Sequence, residues 1–138
     1  MTKYLKMCSP ECSIKHAVEI MRDLNCGVVP VVDDNMELVG IVTDRDISLY
    51  AAFKDKKPSE IKISEFMTKN VITCNLEDKI DVAIEKMKNN KIRRIPVIDE
   101  QKKIAGIISL GDIAVLSGKN EKTFEAFEAI SSPVSSMK

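Results

Sequence analysis

Tryptophan is absent from this chain of 138 residues, and aromatic side chains make up only 4% of it. Any core must therefore be built from Val, Ile, Leu, Met and Ala. An excess of one charge is missing too: 21 Lys and Arg stand against 21 Asp and Glu. Proteins that live on nucleic acid carry a basic excess that displaces counterions, so no nucleic-acid partner is expected. No run approaches the ~18 apolar residues of a membrane span. The opening residues 1–12 lack the apolar stretch of a secretory signal, and we expect a soluble, cytoplasmic chain. There is no Walker-type loop, no GxGxxG, no GxSxG and no nucleophile paired in context with the single histidine. Catalysis is therefore not expected. What is present is a globular balance, 44% hydrophobic and 30% charged, enough for one compact domain or two very small ones that share a core.

Shifted by 66 positions, the chain falls on itself without a gap. Met1-Thr2-Lys3 meets Met67-Thr68-Lys69, Cys8 meets Cys74 and Glu11 meets Glu77. Ile14, Ala17, Glu19 and Met21 meet Ile80, Ala83, Glu85 and Met87. Pro30-Val31 and Asp33 meet Pro96-Val97 and Asp99; Gly40-Ile41 and Asp46-Ile47 meet Gly106-Ile107 and Asp112-Ile113. Such agreement marks a tandem duplication.

Each copy reads as strand, helix, strand, strand, helix, which is an α+β pattern. Residues 4–8 and 70–74 read as a short first strand. Ile14, Ala17, Val18, Met21 and Leu24 recur at helical spacing, as do Ile80, Ala83, Ile84 and Met87. Ser13 or Cys12 starts the first of these helices and Asp78 is expected to cap the second. Val28 to Asp33 is a β-branched run, Asp34-Asn35 begins a turn, and Leu38 to Val42 returns. Thr43 to Phe53 is expected to be helical. One repeat is too small to cover its own sheet, so two would share their apolar faces. We place the first repeat with the start of its linker at 1–57, the second at 58–118, and a helical tail at 119–138.

The last strand of each copy ends alike: Gly40-Ile41-Val42-Thr43-Asp44-Arg45-Asp46-Ile47 and Gly106-Ile107-Ile108-Ser109-Leu110-Gly111-Asp112-Ile113. A hydroxyl followed three positions later by an acid at a helix start is a capping box. The same geometry suits an adenosine phosphate. The helix N-terminus and the hydroxyl would meet phosphate, and the carboxylate would accept from the ribose hydroxyls.

These stretches, with Gly27 to Asp33, Met67-Thr68 followed by Val71, and Ile92 to Asp99, resemble the CBS domain. The tandem resembles a stand-alone CBS pair, or Bateman module, over about residues 1–118. The resemblance implies two repeats related by a pseudo-twofold axis, with sheets packed centrally, helices outside and a cleft on each side built from both copies. It implies a regulatory, energy-sensing protein with no required cofactor, which binds AMP, ADP, ATP, S-adenosylmethionine or an NAD-like ligand and signals through a homodimer or a regulated partner. Carried onto this chain, Asp46 and Asp112 would hold ribose, and Thr43 and Ser109 would approach phosphate. Arg45 and Arg93 or Arg94 would neutralise phosphate charge, Val28 and Ile95 would flank adenine, and Thr73 would bond base or sugar. The copies are unequal. Met7 stands where Thr73 stands, and Gly27-Val28 stands where Arg93-Arg94 stands.

A ligand-free interaction scaffold is one alternative. A metal- or redox-responsive protein using Cys8, Cys12, Cys26 and His16 is another, since Cys and His ligate zinc. Cys8, Cys12 and His16 are spaced by four, but Pro10 and a strand at Cys8 break the helical register. The spacing alone therefore favours buried, reduced thiols, with His16 in solvent.

Overall fold

The structure, a computed structural model, describes residues 7–117. The expected tail helix at 119–138 and residues 4–6 of the expected first strand lie outside the described residues. The elements are α1 (Ile14–Leu24), β1 (Val28–Val32), β2 (Leu38–Thr43), α2 (Asp44–Ala51), β3 (Cys74–Asn75), α3 (Ile80–Asn90), β4 (Arg94–Ile98), β5 (Ile104–Ser109) and α4 (Leu110–Ser117). Short 3-10 turns occupy Pro58–Glu60 and Ile63–Glu65. The described residues form two compact units: 7–71 with 101–104, and 72–100 with 105–117.

In the first unit β1 pairs antiparallel with β2, placing Val28 opposite Thr43 and Val31 opposite Gly40. Cys8 adds a parallel bridge to Val31, and Val32 N–H donates to the Cys8 carbonyl at 2.9 Å. On the far side of β2, Ile41 and Thr68 exchange two 3.0 Å backbone bonds. That edge leaves little room beside Gly40: a Cβ there would lie 3.1 Å from the Thr68 carbonyl oxygen and 2.8 Å from Met67 Sδ, so both neighbours would have to shift. Helix α1 starts where Ser13 Oγ accepts the His16 N–H (3.1 Å) and ends at Asn25, in the left-handed region at φ 49. It buries Ile14, Ala17, Ile20 and Met21 against Val29, Val31, Val42 and Ile47. The linker is exposed through Glu60, and then Ile61 and Ile63 enter this core at 1% and 0% exposure. Ile14 N–H donates to the Ile61 carbonyl and Ile63 N–H to the Cys12 carbonyl, both at 2.9 Å. Each buried isoleucine contributes on the order of 1.5–3 kcal/mol by leaving water, so this part of the linker is structural.

In the second unit β4 lies between β3 and β5, and β3 runs parallel to β4. Helix α3 buries Ala83, Ile84 and Met87 in a cluster with Cys74, Ile95, Leu110 and Ile113. The duplication extends to backbone geometry. The four non-glycine residues with positive φ, among those described, are Asn25, Met36, Lys91 and Lys102, two pairs at the repeat spacing.

Several expectations are corrected. The strand expected at 70–74 is only Cys74–Asn75, because the Thr73 carbonyl is taken by Lys86 Nζ at 2.7 Å instead of by a neighbouring strand. In the first copy, the described residues 7–8 carry one bridge, from Cys8 to Val31. Asp78 does not cap α3. Its carboxylate accepts the Asn75 N–H at 2.9 Å and closes a turn, leaving Lys79 at the cap without a side-chain bond. Helix α2 stops at Ala51, and Phe53 projects into solvent. Val18 and Ile80, assigned to the apolar stripes, are exposed, and Ile20 takes the core place in α1.

Candidate functional site

Each unit holds one strand–helix junction built by the same bonds. In the first, Asp44 N–H donates to the Gly27 carbonyl at 2.9 Å, tying the start of α2 to the start of β1. Thr43 Oγ1 accepts the Asp46 N–H and Asp46 Oδ2 accepts the Thr43 N–H, both at 3.1 Å. In the second, Leu110 N–H donates to the Arg93 carbonyl at 2.8 Å. Ser109 Oγ accepts the Asp112 N–H at 3.0 Å and Asp112 Oδ2 accepts the Ser109 N–H at 3.1 Å. Both capping boxes read from sequence are therefore present. Each uses one carboxylate oxygen of a half-buried aspartate, and Oδ1 of Asp46 and of Asp112 has no hydrogen bond among the described residues. An oxygen in that position can accept from a hydroxyl-bearing ligand.

The junctions differ in charge. Asp44 crowds the first: its Oδ2 would lie 2.7 Å from a Cβ at position 27, and its Oδ1 accepts the Arg45 N–H at 2.8 Å. An anion approaching α2 meets this carboxylate. At α4 the equivalent residue is Leu110, buried in the core, followed by Gly111, where an added Cβ would meet Ser109 Oγ at an unstrained 3.7 Å. Arg93 and Arg94, both exposed, precede and begin β4, whose backbone is bonded to that helix start.

The candidate residues thus fall into two groups. Val28, Thr43, Arg45 and Asp46 gather at the first junction, where Val28 pairs with Thr43. Arg93, Arg94, Ile95, Ser109 and Asp112 gather at the second. The side chains of Val28 and Ile95 are buried at 2% and 0% exposure. Thr73 is half-buried just before β3, and no described hydrogen bond ties it to Ser109 or Asp112.

The cysteines are placed differently from their expected separation. One ligand atom each from Cys8, Cys12 and His16 lies within 4.8 Å of the others. The register break at Pro10 does not part them, because residues 9–12 form a turn that returns the strand onto the first turn of α1. Cys26 lies outside this group, with Sγ donating to the Val28 carbonyl at 3.3 Å. Burial pushes the Cys8 thiol far above the ordinary thiol range, and the adjacent Cys12 adds to the effect. Cys74 is raised mainly by burial.

A family model described as "CBS domain" matches residues 1–52 and 63–118. The chain belongs to the CBS domain family. It is 38% identical over 132 residues to the uncharacterized protein YlbB of Bacillus subtilis, covering 95% of this chain and 88% of that one. To the CBS domain-containing protein YhcV of the same organism it is 34% identical over 131 residues, covering 95% and 91%. Among solved structures, the CBS domain pair of protein MJ0100, in complex with 5'-methylthioadenosine and S-adenosyl-L-methionine, superposes with a TM-score of 0.73. That match is 34% identical and covers 83% of this chain and 92% of that one. The small sheets and helices of this chain match such tandem CBS pairs, with one strand–helix junction in each repeat. No described helix is long and apolar enough to cross a membrane.

Proposed function

We propose that this CBS pair is a non-catalytic regulatory module that binds an adenosyl ligand at its strand–helix junctions. The observation that carries the reading is the carboxylate at each junction, held by its cap through one oxygen with the other open. A carboxylate so held can accept from the two hydroxyls of a ribose without losing its own anchor. The bound adenosyl ligands of the MJ0100 pair support the same ligand class. We assign the anionic end of a nucleotide to the second junction, where no Asp44 equivalent repels it and Arg93 and Arg94 supply positive charge. At the first junction the Asp44 carboxylate, which accepts the Arg45 backbone N–H at 2.8 Å, sets a negative charge beside the helix start, so that site suits an uncharged sugar end better.

The output is assigned to assembly. Val18, Leu49 and Phe53 of the first unit are exposed apolar side chains. A depression of about 360 Å³ lined by Ile14, Val18, Ile47, Ala51 and Pro58 lies between α1 and α2. A homodimer through these helical faces would cover them. A ligand switches such a dimer only if it prefers one arrangement over another.

The test is thermal unfolding with AMP, ADP, ATP, NADH and S-adenosylmethionine. A ligand at 100 times its Kd stabilises by ~2.7 kcal/mol, a rise of several degrees for a chain of this size. At least one of the five is expected to give that rise, with sedimentation showing a two-chain mass. No rise with any of them would leave the interaction scaffold as the better account.

A further inference from the structure

The first repeat carries a constellation that the nucleotide reading does not use, formed by Cys8, Cys12 and His16. Each comes from a differently anchored piece of backbone. Cys8 sits on the bridge to Val31, with its carbonyl accepting the Val32 N–H at 2.9 Å. Cys12 closes the turn, donating its N–H to the Ser9 carbonyl at 3.0 Å and accepting the Ile63 N–H at 2.9 Å. His16 stands in the first turn of α1, its N–H held by Ser13 Oγ at 3.1 Å. Their ligand atoms lie within 4.8 Å of one another. In a tetrahedral zinc site with the usual bond lengths, neighbouring ligand atoms are separated by about 3.5–3.8 Å. A contraction of about an ångström, within reach of side-chain torsions, separates the two arrangements.

The second repeat supplies an internal control. The residues equivalent to Ser9, Cys12 and His16 are Asn75, Asp78 and Val82. There the same turn is closed by a carboxylate, with Asn75 N–H donating to Asp78 Oδ2 at 2.9 Å. In the first repeat the Ser9 N–H donates to Cys12 Sγ at 3.3 Å, and Ser9 Oγ lies 3.8 Å from the same sulfur. Thiol sulfur is a weak acceptor, so a turn alone is served better by aspartate. A backbone N–H aimed at sulfur is the kind of outer contact that orients a thiolate ligand. The first repeat thus differs from the second by acquiring two ligand types at once, one helical turn apart and facing a buried cysteine. Neither change improves packing, since Cys12 is half-buried and His16 is exposed.

We propose that Cys8, Cys12 and His16 bind a soft divalent cation of the zinc class, with three protein ligands and a fourth position open to solvent. Two sulfurs and an imidazole select such an ion over magnesium or calcium, which take oxygen ligands. The half-exposed side of the cluster leaves room for an exchangeable fourth ligand. Bound there, the ion would join the Cys8 bridge, the turn and the start of α1, so its loss would loosen the entry to the first repeat.

The test uses the full chain, reduced and stripped of metal, titrated with Co²⁺ as a spectroscopic probe and then with Zn²⁺. One equivalent per chain is expected, with the sulfur-to-cobalt charge-transfer band and the intense visible bands of tetrahedral coordination, displaced by Zn²⁺. His16→Val installs the residue that the second repeat carries at the equivalent position. It is expected to keep the fold and to weaken Co²⁺ affinity by more than the roughly 10–100-fold typical of losing an outer-shell partner. Cys12→Ser is expected to remove the charge-transfer intensity of one thiolate, and Cys26→Ser to change nothing. A wild-type chain that binds no stoichiometric Co²⁺, or a His16→Val variant whose spectrum and affinity match the wild type, would overturn the proposal. Both readouts are independent of any nucleotide.

Discussion

Replacing Asp112 by asparagine separates the two tasks assigned to this side chain. In the structure its Oδ2 accepts the Ser109 N–H at 3.1 Å, and its own N–H donates to Ser109 Oγ at 3.0 Å. Asparagine retains a carbonyl oxygen for the first bond and leaves the second untouched. What disappears is the charge beside the N-terminus of α4, worth about 0.3–1 kcal/mol. The ligand-free melting temperature should therefore fall by roughly 1–4 °C for a chain of this size. Asp112→Ala also strips the Ser109 N–H of its acceptor, and the total loss rises to roughly 1–2 kcal/mol. The ligand should respond in the opposite order of subtlety. Hydrogen bonds to a charged acceptor contribute about 1.5–3 kcal/mol, so removing the charge should weaken adenosyl-ligand affinity by about tenfold to a hundredfold. Calorimetric titration of the wild type and both variants measures this directly. If Asp112→Asn binds within about twofold of the wild type while Asp112→Ala only melts earlier, the carboxylate is a helix cap and nothing more. The same pair at Asp46 reports which junction the ligand uses.

Two other perturbations test the frame around the junctions. Gly40→Ala drives a Cβ to within 3.1 Å of the Thr68 carbonyl oxygen and 2.8 Å of Met67 Sδ, so the two Ile41–Thr68 bonds should be strained or lost. Overpacking and bond loss together predict a destabilisation of roughly 2–4 kcal/mol, and a denaturant midpoint within error of the wild type would refute the close approach. At the linker, Tyr50 stacks on Phe66 with ring centroids 4.5 Å apart, and its hydroxyl donates to Glu65 at 2.7 Å. This bond holds the Glu65 carboxyl below its ordinary pKa. A depressed acid stabilises the fold above its unfolded pKa, and the contribution is lost as pH falls through the folded value. Tyr50→Phe should therefore raise the Glu65 pKa toward the ordinary glutamate range in an NMR titration, and an unchanged titration would show that the bond is not populated.

The sequence by itself determined the duplication, the helix–strand–strand–helix order that both copies share, and the two capping boxes. All three follow from local information: residue identity at fixed spacing, β-branched runs, and hydroxyl and acid residues three positions apart at a helix start. Local pattern failed where two groups competed for one partner. Asp78 reads as a helix cap, yet it closes the Asn75 turn instead. Thr73 reads as strand, yet Lys86 takes its carbonyl. Val18 and Ile80 carry the right spacing for the core but lie on its margin, because a helix stripe says which residues share a face and not how far the neighbouring surface extends over it. Only the tertiary structure decided that Ile61 and Ile63 belong to the core of the first unit and that Thr68 pairs with Ile41. It alone brought Cys8 to Cys12 and His16 across a turn that breaks the helical register between them. Each of these depends on which backbone groups reach one another through space, and spacing along the chain carries no record of that.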